Sequence, residues 1–181
     1  LTLKLSGLPW QRVIGTGTSL DSARFKYYLG EKMGVHPSEM NAYILGEHGD
    51  SQFPVLSDAS VGGMKLNETT ECSPEAINEC FEKTKRAAYE IVARKQATYY
   101  AIGLVISRIV DCICSDERNI IPLSVYLDDY YGESNICMSV PCLLGKGGII
   151  RRFHLSLTKE EETKLHFSAE VLRNAVSHAG M

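Results

Sequence analysis

The order of elements along the chain predicts an α+β fold in which antiparallel sheets pack with long helices. Three observations carry that prediction. Residues 119–127 and 135–143 are rich in isoleucine, valine and leucine and flank the turn-forming segment DDYYGES, the pattern of an antiparallel hairpin. A helical pattern runs from Pro74 past Val110. Strands and helices do not alternate as βαβ units, which sets a doubly wound parallel sheet aside. At 181 residues the chain has the size of one compact domain with a single sizeable core.

In chain order, Leu1, Leu5 and Leu8 keep a helical period that Gly7 and Pro9 end, so residues 1–9 read as the tail of a helix begun upstream. Thr18 and Asp21 form a T-x-x-D capping signature, and Leu20, Ala23, Tyr27 and Met33 follow at helical spacing up to Gly34, predicting a helix over 19–33. After the break at His36-Pro37, the apolar run NAYILG predicts a short strand over 41–46. It delivers the loop GEHGDS. Residues 52–67 predict one or two strands around Gly62-Gly63. The pattern beginning at Pro74 is too long for one globular helix, which predicts a bend near residues 95–99. A third strand over 149–157 follows the hairpin, and Thr158 with Glu161 caps a final amphipathic helix reaching about His178.

Composition narrows the function. With 44% hydrophobic and 23% charged residues, the chain has the make-up of a globular protein rather than a disordered or fibrous one. A net charge of −3 offers no excess of cations for nucleic-acid phosphates or an anionic membrane. The most apolar stretch, around Tyr99 to Val110, is interrupted by Ser107 and Arg108 and is too short to span a bilayer. No signal peptide is read at the N-terminus. The six cysteines fall outside any C-x-x-C pair, and none has a histidine at zinc-ligand spacing, so no metal site is expected. They read as core thiols of a reducing cytoplasm, with a disulfide framework as the alternative on count alone.

The residues with reactive chemistry gather around one loop. Histidine has the side-chain pKa best placed for proton transfer at neutral pH, and small loop neighbours leave His48 accessible as a general acid/base. The plain alternative is a solvated loop histidine. Asp21 and Arg24 share one face at the start of the first long helix, directly ahead of the strand that ends near His48. A carboxylate there would hold the imidazole tautomer, and the planar guanidinium suits a substrate carboxylate as lysine does not. The plain alternative is a capping carboxylate with its i,i+3 ion-pair partner. Neither glycine cluster binds phosphate: Gly15-Thr16-Gly17 has Leu20 where a dinucleotide fingerprint needs a small residue, and Gly145-Lys146-Gly147 has Ile150.

The segment IGTGTSLDSARFKYYLGEKMGV, followed by GEHGDSQFPV, closely resembles the substrate-domain signature of L-lactate dehydrogenases, within the lactate/malate dehydrogenase superfamily. KQATYYAIGL and SVYLDDYYGESNICMSVPCLLGKGGI extend the resemblance over essentially the whole chain. It implies a substrate-binding, catalytic C-terminal domain over 1–181, whose N-terminal Rossmann domain for NAD is absent from the sequence. It makes His48 the proton donor to the substrate carbonyl, Asp21 the carboxylate that orients the imidazole, and Arg24 the clamp on the substrate carboxylate. Thr98 matches a residue beside the substrate's small side chain, Ile102 an apolar wall of the nicotinamide site, and Thr16 a position near the carboxamide. The implied reaction interconverts pyruvate and L-lactate with NAD, as in glycolytic fermentation in the cytoplasm, within a homotetramer. A chain lacking the nucleotide-binding half is expected to be inactive alone. Where bacterial relatives bind fructose 1,6-bisphosphate with an arginine and a histidine, this sequence has Lys26 and Asn41, which implies weak or absent activation by that sugar phosphate. Malate dehydrogenase and a non-catalytic oligomerisation module are the alternatives.

Overall fold

In the computed structural model, which describes residues 1–70 and 72–178, the frame is a pair of three-stranded antiparallel sheets. The first contains β1 (Met40–Leu45), β2 (Phe53–Val61) and β3 (Met64–Lys65); the second contains β4 (Asn119–Leu127), β5 (Ile136–Gly145) and β6 (Gly148–Arg152). Strands in each sheet are neighbours in chain order, so every connection is a hairpin or a local loop. The helices described are α1 (Thr2–Ser6), α2 (Ser19–Met33), α3 (Pro74–Lys95), α4 (Tyr100–Cys114) and α5 (Lys159–His178). The α+β architecture predicted from the sequence is the one observed.

Packing follows from alternation along the strands. In β1, Met40, Ala42 and Ile44 are buried on one face with Phe25 and Leu29 of α2 and Ile77 of α3, while Asn41 points to solvent. Phe25 and Leu29 are fully buried, and removing each from water is worth roughly 1.5–3 kcal/mol. β5 is flanked by β4 and β6 and buried along nearly its whole length, so it reads as a continuous apolar run. Its Met138, Val140, Cys142 and Leu144 form a second cluster with Leu45 and Phe53 of the first sheet and Leu165 and Ala169 of α5.

The two sheets meet where β1 ends. Gly46 N donates to Ser139 O at 3.1 Å and Ser139 N donates back to Gly46 O at 3.0 Å, so the loop after β1 leaves directly from the middle of β5. The predicted bend in the long helix is a full break: Gln96 takes the left-handed conformation at φ 61, and residues 97–99 are non-helical before α4 starts.

Three expectations need correction. The first strand starts one residue earlier, at Met40. Thr18 occupies the N-cap of α2 but makes no side-chain capping bond, because its hydroxyl instead donates to Ile44 O at 2.5 Å, and Asp21 is turned to another partner. The third strand of the second sheet stops at Arg152 instead of reaching 157. Its neighbour on β5 beyond that point is Pro141, which has no N–H to continue the ladder; the last bond is Phe153 N to Pro141 O at 2.8 Å. At the final helix Thr158 and Glu161 form the predicted capping box, with Thr158 N donating to Glu161 Oε2 at 2.8 Å and Glu161 N donating to Thr158 Oγ1 at 3.2 Å.

Candidate active site

Asp21 lies in the first turn of α2, inside the layer between α2 and β1, and only 3% of its side chain is exposed. The loop leaving β1 brings His48 over it, with His48 Nδ1 2.7 Å from Asp21 Oδ2 while 57% of the imidazole side chain remains accessible. A buried carboxylate thus sits behind an open ring. Apart from that ring, Asp21 Oδ2 is wholly buried without a hydrogen-bond partner among the described residues. Asp21 Oδ1 lies 3.7 Å from Arg24 Nη1, and Arg24 is mostly buried, so the carboxylate faces one cation permanently and a second when the imidazole is protonated.

The electrostatics follow from the geometry. The hydrogen bond to Asp21 raises the His48 pKa above its ordinary value; partial burial pulls it down, and the charge of Asp21 pushes it up again. With Nδ1 committed to the carboxylate, Nε2 is left as the nitrogen that exchanges a proton with anything outside. The accessible side opens onto a cavity of about 360 Å³ walled by Asp21, His48 and Asp50 and by Lys85, Ala88 and Tyr89 of α3. That volume matches a small-molecule site. Tyr89 Oη donates to Asp50 Oδ1 at 3.3 Å, tying the far side of the loop to α3.

A buried Asp paired with an accessible His that opens onto a small cavity, with a mostly buried Arg 3.7 Å from the other carboxylate oxygen, is an arrangement suited to acid/base chemistry. The family described as lactate/malate dehydrogenase, alpha/beta C-terminal domain, matches residues 18–180. The chain belongs to that family. An L-lactate dehydrogenase of Salinibacter ruber is 46% identical over 176 residues, covering 95% of this chain and 56% of the relative. An L-lactate dehydrogenase of Clostridium botulinum is 40% identical over 184 residues, covering 99% of this chain and 58% of the relative. Among solved structures, a lactate dehydrogenase enzyme from a Medee basin deep-sea metagenome library superposes with a TM-score of 0.94 at 38% identity, covering 98% of this chain and 58% of that one. The minor L-lactate dehydrogenase of Enterococcus mundtii, solved in its ligands-bound form, gives 0.93 at 38% identity over the same shares of the two chains. The chain therefore spans somewhat over half the length of the relatives it matches.

In this member of the lactate/malate dehydrogenase family, the structure groups Asp21, Arg24 and His48 and leaves the other expected residues outside the lining of the cavity beside His48. Thr98 is exposed in the break between α3 and α4, and Ile102 is half-buried in the first turn of α4; neither walls the cavity beside His48. Thr16 is half-buried ahead of α2, where its carbonyl accepts from Ser19 Oγ at 2.6 Å. Lys26 places its ammonium 5.2 Å from the ring centroid of Tyr43, and burial lowers its pKa. It walls a separate cavity of about 680 Å³ that Asn41, exposed on β1, does not reach. Among the described residues, no group of three acidic, histidine or cysteine side chains is placed to hold a metal ion.

Sequence reasoning missed the part played by α3. Lys85, Ala88, Tyr89 and Val92 recur at helical spacing, so a stripe was visible, but nothing local indicated that the stripe faces His48. It also missed the contact from α5 to the loop through Ser168, which is wholly buried.

Proposed function

We propose that the chain is the substrate-binding and catalytic half of an NAD-dependent L-lactate dehydrogenase interconverting pyruvate and L-lactate, with residues 1–181 forming one domain beside an N-terminal nucleotide-binding domain. The observation that carries this reading is the 2.7 Å contact of buried Asp21 with accessible His48, next to Arg24. It is supported by the L-lactate dehydrogenase names of the relatives, at 40–46% identity.

In pyruvate reduction, His48 gives the proton on Nε2 to the carbonyl oxygen, while Asp21 holds the ring and stabilises the imidazolium beforehand. Arg24 receives the substrate carboxylate with its planar fork, which fixes the face of the carbonyl that is attacked. NAD, when bound, supplies the hydride chemistry. The residues present fit only one edge of its site: the half-buried Ile102 offers an apolar wall and Thr16 a hydroxyl near the start of α2, and the chain contains no dinucleotide fingerprint. The chain alone is accordingly inactive, and the full-length enzyme works as a cytoplasmic homotetramer. The loss of a histidine at position 41 leaves Lys26 as the one cation of the pair, so activation by fructose 1,6-bisphosphate is weak or absent.

Steady-state turnover of pyruvate and oxaloacetate by the full-length protein tests the assignment. A higher kcat/KM for pyruvate is expected; a preference for oxaloacetate would make the protein a malate dehydrogenase.

A further inference from the structure

We propose that Ser168 of α5 is a positioning residue that fixes the His48 loop from both sides for proton transfer, an inference that rests on the acid/base role of His48 given above. The observation is a closed circuit of hydrogen bonds around the loop. Glu47 N, immediately before His48, donates to Ser168 Oγ at 2.7 Å. Ser51, on the other side of His48, has its Oγ 3.1 Å from Ser168 Oγ and donates to Glu47 Oε2 at 2.5 Å. Because the Ser51 proton goes to the carboxylate, Ser168 is the donor to Ser51, so one hydroxyl accepts from the residue before the histidine and donates to a residue after it.

Two further features make this a built contact. Ser168 is wholly buried, and a Cβ on Gly46 would lie 2.5 Å from its Oγ, so the approach requires glycine at that position. Gly46 also has φ 96, which turns the chain off β1 toward α5. Ser168 itself stands on a part of α5 anchored on both sides. Upstream, Glu161 Oε1 accepts from Leu56 N at 2.8 Å and from Ser57 N at 3.1 Å. Beyond Ser168, Arg173 donates to the buried Glu133, which also holds His166 Nδ1 at 2.5 Å. The last helix, far from His48 in sequence, thus carries a rigid hydroxyl to the catalytic loop. Without it the Glu47 N–H is left unpaired and the loop is free to shift, and the imidazole loses the fixed distance to Asp21 that holds its pKa up.

The test uses the full-length enzyme with Ser168→Ala and Ser51→Ala. Alanine is a better helix former than serine, so α5 is retained in the first variant; Ser51 is only partly buried and its replacement leaves the core alone. His48 is titrated by proton NMR, its signal assigned by its absence in His48→Asn, and pyruvate reduction is measured in parallel. In Ser168→Ala, His48 titrates at lower pH than in the wild type and kcat falls on the order of ten- to 100-fold with NADH affinity unchanged. Ser51→Ala moves both in the same direction by less. A lowered melting temperature with His48 titration unchanged and kcat within about twofold would overturn the proposal, since a merely structural serine gives that result. If Ser168→Ala does not fold, an unchanged His48 titration in Ser51→Ala overturns it alone. A wild-type enzyme inactive on pyruvate contradicts the functional reading instead, while the NMR titration still decides the role of Ser168.

Discussion

At the scale of single residues, the decisive pair is Asp21 and His48. A raised imidazole pKa means that the folded protein holds the proton to higher pH than the unfolded chain does. The pair's contribution to stability is therefore complete below the ordinary imidazole value and is lost as pH rises through the raised one; under the proposed function, pyruvate reduction by the full-length enzyme should decline over the same rise. Asp21→Asn removes the main cause of the shift. Its pH–rate profile for kcat/KM with pyruvate should decline at lower pH than the wild type's, and kcat should fall on the order of 100-fold. Arg24→Lys keeps the charge but loses the two-pronged geometry, and kcat/KM for pyruvate should drop by about 2–5 kcal/mol of transition-state binding, checked by the same kinetics. That Asp21, Arg24 and His48 stand on one side was legible from their spacing at the head of one helix and the end of the next strand, whereas their roles came only from the resemblance to L-lactate dehydrogenases. The role of Thr18 was not. Its capping signature is local, whereas the Ile44 carbonyl that takes its hydroxyl lies on β1, a tertiary neighbour that no short window includes.

At the scale of elements, one carboxylate of α5 gathers amides from two elements. Glu161 accepts from Thr158 N at its own helix start and from Leu56 N and Ser57 N, two strand amides beside the register irregularity between β1 and β2. Burial raises its pKa, and the backbone hydrogen bonds outweigh that and bring it below the ordinary glutamate value. The stabilisation is then present above the ordinary value and is lost as pH falls through the lowered one. Glu161→Gln turns an amide donor toward amide donors and should cost about 1–3 kcal/mol, read as a lower urea midpoint with an unchanged m-value. The capping box at Thr158 and Glu161 was visible because its partners are three residues apart; the amides of β2 that share the carboxylate were not. The short β6 has the same explanation. Ile149 to Leu157 has strand-like residues, but pairing ends where Pro141 stands opposite, and Tyr130 Oη takes the carbonyl of Phe153 at 2.8 Å instead. Residue content predicted the strand; the partner decided its length.

At the scale of the whole molecule, hairpin connections made the architecture legible, since each sheet pairs strands adjacent in the chain. How the sheets join at Gly46 and Ser139, and which stripe of α3 closes the cavity, depend on contacts between distant segments and were beyond pattern reading. The same view separates what this chain supplies from what it does not. It holds Asp21 against His48 and Arg24, the proposed acid/base pair and carboxylate clamp, and has no dinucleotide fingerprint, so the isolated chain should leave NADH fluorescence unchanged in a titration where the full-length enzyme quenches or enhances it. Oxidation of NADH by the full-length protein with pyruvate, wild type against His48→Asn, tests the central claim most directly. Turnover in the wild type is expected, with a loss on the order of 10²- to 10⁴-fold in the variant and NADH binding retained. Turnover in the variant within about a factor of 3 of the wild type would contradict it.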